Sequence, residues 1–97
     1  MKIIDRLYEE CNTPVELWGG DTVAPLQCDR AYGTYRILQW DVVKRDYVEW
    51  ISCFSPSDML LRYFRAKCFE GELLDCDNFE GQLQTLYQYI SKGELVR

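Results

Sequence analysis

Apolar residues along this chain recur first at helical spacing, then in alternation, then at helical spacing again. Ile3, Ile4, Leu7 and Cys11 share one face of a segment whose intervening positions include Asp5, Arg6, Glu9 and Glu10. That period predicts a short amphipathic helix over Met1 to Cys11, and Asn12-Thr13-Pro14 stops it because proline cannot continue a helix. Val15 to Trp18 then alternates as a short strand does, and Gly19-Gly20-Asp21 is a turn signal. Thr22 to Cys28 is a weaker strand candidate, which Pro25 would confine to a sheet edge.

The clearest pattern lies between Thr34 and Phe54. Two runs rich in β-branched and aromatic residues, Tyr35 to Val42 and Tyr47 to Phe54, flank the polar stretch Val43-Lys44-Arg45-Asp46. Such runs favour the pleated backbone, and a short polar connection between them predicts an antiparallel hairpin. Strict alternation puts Leu38, Trp40 and Val42 on one face with Val48, Trp50 and Phe54, which are expected to form the core. Tyr35, Ile37, Gln39 and Asp41 then share the other face with Tyr47, Glu49, Ile51 and Cys53.

Two helices follow. Ser55-Pro56-Ser57-Asp58 offers an N-cap serine, a proline at the first helical position and an acid three residues on from the cap. Met59, Leu60, Tyr63, Phe64 and Cys68 continue it as one stripe, and Gly71 is a natural stop. Asp77-Asn78-Phe79-Glu80 reads as an Asp capping box for the last helix, whose stripe is Phe79, Leu83, Leu86, Tyr87 and Ile90, and Gly93 ends it. The order predicts a single α+β domain over residues 1–97. It comprises a small antiparallel sheet of two to three strands, centred on the hairpin 34–54, with an N-terminal helix and two C-terminal helices packed on one face.

Composition narrows the class. Ninety-seven residues make one domain, and 47% apolar content with seven Tyr, four Phe and three Trp is enough for a core without staples. Cys11, Cys28, Cys53, Cys68 and Cys76 are odd in number and irregularly spaced, and the charged opening MKIIDRLYEE does not resemble a secretory leader. A reducing, cytoplasmic setting is expected, with most thiols behaving as small buried hydrophobes. No apolar run approaches the roughly 20 residues that span a bilayer.

Charge is unevenly placed. Residues 1–29 carry two basic and six acidic groups, residues 30–67 seven basic and four acidic, and residues 68–97 two basic and six acidic, for a net −5. Proteins that grip a phosphate backbone need a cationic excess, so the balance disfavours nucleic acid.

Candidate chemistry is sparse. The chain contains no histidine, which removes Ser-His-Asp and Cys-His sites and imidazole metal ligands. Its cysteines lack the close pairs of a zinc site. The segment Asp75 to Gly81 misses the oxygen ligand, glycine and glutamate that a calcium loop needs at its fifth, sixth and twelfth positions. Gly19-Gly20-Asp21-Thr22 lacks the Lys-Ser/Thr ending of a phosphate-binding loop. Chance pairs among sixteen acids do not make an active site, and so small a fold leaves little room for a substrate pocket. No cofactor or metal is implied, and an enzyme is not expected.

Two surface features remain. Glu70, Glu72, Asp75, Asp77 and Glu80 form an acidic run with no basic residue between Lys67 and Lys92, and Asp5, Glu9, Glu10, Glu16 and Asp21 form a second group. On the sheet, Tyr35, Ile37, Tyr47 and Ile51, bordered by Gln39, Asp41 and Glu49, would make an aromatic patch with a polar rim, suited to a protein partner or to a second copy of the chain.

The expectation is a non-enzymatic module binding another intracellular protein with a basic surface, and inhibiting a nucleic-acid-handling complex. Short, acidic, motif-free chains of this general character resemble small phage and mobile-element inhibitors, anti-CRISPR proteins among them; no residue motif carries that resemblance. One alternative is a nucleic-acid-binding domain using the basic segment 30–67, because helix, three strands, helix is similar to the order in double-stranded RNA-binding domains. A homodimeric structural protein is the other.

Overall fold

The computed structural model describes residues 1–95. The helix α1 spans Ile3–Asn12. It is followed by the two-residue strands β1 (Val15–Glu16) and β2 (Thr22–Val23), then by β3 (Leu26–Ala31), β4 (Thr34–Asp41) and β5 (Asp46–Cys53). The helices α2 (Pro56–Phe69) and α3 (Phe79–Ser91) close the order. Strands β1 and β2 pair as a small separate hairpin, and β3-β4-β5 form an antiparallel meander. The fold is α+β, as the sequence predicts.

The central hairpin appears where expected. Its turn is organised by Asp41, whose Oδ1 accepts the backbone N–H groups of Val43 and Lys44 at 2.8 and 3.0 Å. Those N–H groups, Lys44's first, hold the Asp41 carboxyl below its usual pKa. The candidate strand Thr22 to Cys28 is divided: Thr22–Val23 form β2, and β3 starts at Leu26 and runs on to Ala31. Pro25 falls just before it, and its carbonyl accepts the Trp40 N–H at 3.0 Å, so the ring costs the ladder nothing. Tyr32 and Gly33, both at positive φ, join β3 to β4 as a two-residue turn of the kind that matches strand twist.

Strict alternation fails inside β5. Ile37 faces Ile51 and Leu38 faces Glu49, so Trp50 is an extra residue in a β-bulge. Glu49 and Ile51, two apart in sequence, therefore belong to opposite faces. The helix-covered face carries Leu26, Cys28, Ile37, Ile51 and Cys53, all buried. Leu38 and Trp40, expected in the core, lie on the opposite face with Glu49 and Tyr47, and Val42 and Phe54 are exposed. The expected faces are thus reversed along β4 and mixed along β5, and the bulge is the cause for β5.

Helix α1 packs on β3 and α2 on β4 and β5, while α3 packs against α1 and α2. Ile3, Ile4 and Leu7 of α1 meet Leu60 and Tyr63 of α2 and Leu86 of α3 in one cluster with the sheet residues. Each such aliphatic side chain taken from water contributes about 1.5–3 kcal/mol. Trp50, turned toward α2 by the bulge, packs edge to face on Tyr63 with ring centroids 6.1 Å apart. The Ser55 side chain caps α2 as predicted, accepting the Asp58 N–H at 3.2 Å. At α3 the cap is Asn78, not Asp77: its Oδ1 accepts the Gly81 N–H.

Candidate partner-binding surface

The acidic run begins where α2 ends. Gly71, at φ 90°, donates its N–H to Cys68 O, and Glu72 donates its N–H to Lys67 O, both at 3.0 Å. This is the paired closure that a glycine in the left-handed region allows, and it reverses the chain sharply. The reversal carries Glu72 back onto the α1–α2 seam. There its carboxylate lies 2.7 Å from Arg6 Nη2 and 3.3 Å from Lys67 Nζ.

Beneath Glu72 is a buried polar cluster. Glu10, 9% exposed, accepts the Tyr63 hydroxyl at 2.7 Å, and its Oε1 lies 2.9 Å from Lys67 Nζ and 3.0 Å from Arg6 Nε. The Lys67 ammonium also lies 5.9 Å from the Trp50 ring centroid. Burial alone would lower the Lys67 pKa, but its bonds to Glu10 and Glu72 outweigh burial and raise it. Tyr63 is pushed far up, first by burial and then by donating to Glu10. Two cations and two carboxylates thus balance one another in charge, although the buried Arg6 Nε, close to Glu10, makes no aligned hydrogen bond.

The rest of the run is held differently. Asp75 pairs in backbone with the start of the chain: its N–H donates to Met1 O at 2.9 Å, and its carbonyl accepts from Ile3 N. Gln82 of α3, 2% exposed, completes the knot. Its Oε1 accepts the Ile4 N–H at 3.1 Å, and its Nε2 donates to Asp75 O and Asp77 O at 3.2 and 2.8 Å.

On this fixed connection the side chains of Glu70, Asp75, Asp77 and Glu80 are exposed. Among the described residues, no cation comes within ion-pair distance of Asp75, Asp77 or Glu80, and Glu70 reaches only Lys67, at 3.6 Å. Two large apolar side chains stand among them: Phe69 is 94% exposed and Leu73 95%. Neither was picked out by sequence periodicity. The available signal was that both fall outside the α2 stripe while flanking Gly71.

The candidate residues therefore divide. Glu70, Asp75, Asp77 and Glu80 are exposed between the end of α2 and the first turn of α3, and Glu72 is withdrawn into the Arg6–Lys67 cluster. Of the second acidic group, Glu10 is buried in that cluster as well. The sheet patch is not assembled. Ile37 is wholly buried and Tyr35 half-buried on the helix-covered face, with Arg30 over the Tyr35 ring at 4.9 Å. Tyr47 and Glu49 lie on the opposite face. There Tyr47 donates to Ala24 O at 2.8 Å and packs on Trp40, while Glu49 lies 3.6 Å from Arg36, which also holds Asp29 through two bonds.

The surface also carries a groove of about 920 Å³. It is open, and it runs between the β1–β2 hairpin and the β4–β5 turn. Among the described residues, Trp18, Trp40 and Val42 line it, with Asp21 as its one carboxylate and Arg45 as its one cation. Burial raises the Cys53 and Cys76 pKa values, so their thiolates are disfavoured as nucleophiles.

Together these features define a small α+β domain whose distinctive surface is an acidic turn presenting two apolar side chains. Comparison with family models, with curated proteins and with solved structures finds no match to this chain. Among the described residues no helix is long and apolar enough to cross a membrane.

Proposed function

We propose that the chain is a non-enzymatic protein-binding module that docks through its α2–α3 connection, and that its partner is a protein with a basic surface holding an apolar recess. The observation that carries this is the near-complete exposure of Phe69 and Leu73 on a turn that is otherwise tied down by Gly71, Glu72, Asp75 and Gln82. A fixed apolar pair pays little ordering entropy on binding, and a surrounding acidic rim speeds encounter with a cationic partner. Inhibition of a nucleic-acid-handling protein follows from the same chemistry, because a surface that holds phosphate is cationic. The nucleic-acid-binding alternative loses support: of its candidate basic residues, Lys67 is buried in the core cluster and Arg36 is paired with Asp29 and Glu49.

The test is affinity capture from the source cells with the wild-type chain, with F69S/L73S and with E70K/D75K/D77K. A prey protein held by the wild type, released by salt and lost with both variants supports the proposal, provided that V42S/V43S retains it. Equal capture by all four chains, or none by the wild type, overturns it.

A further inference from the structure

Two of the five cysteines meet in the core, although 17 positions separate them in sequence. Cys11, in the last turn of α1, and Cys28, on the helix-covered face of β3, place their sulfurs 3.6 Å apart. Both are buried. The contact joins two elements, so the distance is set by the packing of α1 on the sheet. A disulfide needs sulfurs about 2.05 Å apart, so closure requires an approach of about 1.5 Å, within reach of a side-chain rotation with a small shift of the helix end. Among the described residues no cluster of three or more His, Cys, Asp or Glu side chains could hold a metal, so the pair is not half of a metal site. Cys53, Cys68 and Cys76 lie later in the chain, on β5 and around the acidic turn.

The geometry points to Cys11 and Cys28 as a reversible oxidation site, converted by a small peroxide into an intramolecular disulfide that fastens α1 to β3. One thiol sulfur attacks a peroxide oxygen and breaks the O–O bond, giving a sulfenic acid and one water. The second thiol sulfur then displaces the sulfenic oxygen, which leaves as a second water, and the S–S bond forms. The two thiols lose two protons and two electrons, and hydrogen peroxide is reduced to two waters. Both side chains are buried, which admits only a small oxidant. The bond closes the loop that carries the β1–β2 hairpin and one wall of the groove, and a dithiol reductant reopens it.

The experiment uses the full chain as C68S/C76S, which removes the exposed and the half-buried thiol and leaves the buried ones. The folded protein is exposed to hydrogen peroxide, unfolded in the presence of an alkylating reagent, digested without reduction and mapped by mass spectrometry. The expected product is a monomer in which the Cys11 and Cys28 peptides are linked and two hydrogens lighter, with Cys53 alkylated. Its Tm should be higher by roughly 10 °C, with reversal by dithiothreitol. Full alkylation of Cys11 and Cys28 after oxidation overturns the assignment, as does a link that forms only when the chain is unfolded before peroxide is added. Linkage through Cys53 overturns it equally.

Discussion

Replacing Gln82 by methionine tests whether the α2–α3 connection is held by one side chain. Methionine keeps the length and approximate volume of the glutamine and its helix propensity, so packing and α3 itself are little disturbed. What is lost are three bonds: from Ile4 N at 3.1 Å, to Asp75 O at 3.2 Å and to Asp77 O at 2.8 Å. The Ile4 N–H belongs to the first turn of α1, where no intrahelical acceptor exists. A net contribution of about 1 kcal/mol per bond gives about 3 kcal/mol, and a donor left dry adds to it. For a domain of this size that corresponds to a fall in Tm of roughly 12–24 °C. Urea unfolding followed by Trp fluorescence measures it, with an unchanged m-value showing that the denatured state is unaffected. Gln82→Glu keeps the acceptor for Ile4 but turns an anion toward two carbonyl oxygens, and should be at least as destabilising. A loss below about 0.5 kcal/mol for Gln82→Met would refute the reasoning, since surface substitutions alone reach that size.

Other outcomes follow from the same structure. Lys67→Met leaves Glu10 buried with Arg6 as its remaining cation and should cost about 3 kcal/mol in chemical denaturation. Because the folded-state pKa values of Lys67 and Tyr63 are raised from 10.5 and 10.0, their contribution is fully present below those ordinary values. It is lost as pH climbs above about 10 toward the folded-state values, so wild-type stability should fall there, and the fall should be smaller in Lys67→Met. F69S/L73S should change stability by less than about 0.5 kcal/mol while abolishing partner capture; a large loss of stability would show these side chains to be structural. Gly33→Ala, which forces a Cβ into φ 76°, should destabilise the β3–β4 hairpin by about 1–2 kcal/mol in the same assay.

Helices were legible because their punctuation is local: Ser55 and Pro56 start α2, Gly71 ends it, and Pro14 ends the segment before the sheet. The β3 strand was harder to see. Tyr32-Gly33 is a poor match to the Asn-Gly pattern that announces such turns, and Pro25 weighed against a strand that in fact begins just after it. Along β5 the faces are mixed because period-two reasoning assumes an unbroken ladder, and nothing in Tyr47 to Phe54 announces that Trp50 is supernumerary; along β4 the alternation holds, but it does not say which of two partly apolar faces meets the helices. At the candidate surface, charge counting found Glu70, Asp75, Asp77 and Glu80. It could not tell that Glu72, two residues from Glu70, turns inward, because that depends on Arg6 and Lys67 arriving from two helices. The Cys11–Cys28 contact was invisible for the same reason: spacing in sequence says nothing of distance across a core.

The bulge at Trp50 also bears on how relatives of this chain should be aligned. Taking that residue away would leave Ile51 opposite Ile37 and Glu49 opposite Leu38, so the flanking pairs would keep their partners. Loss of that residue would keep the register on both sides but take away the ring on which Tyr63 and Lys67 lean. The insertion lets a strand contribute a helix-anchoring indole without giving up a place in its hydrogen-bond register.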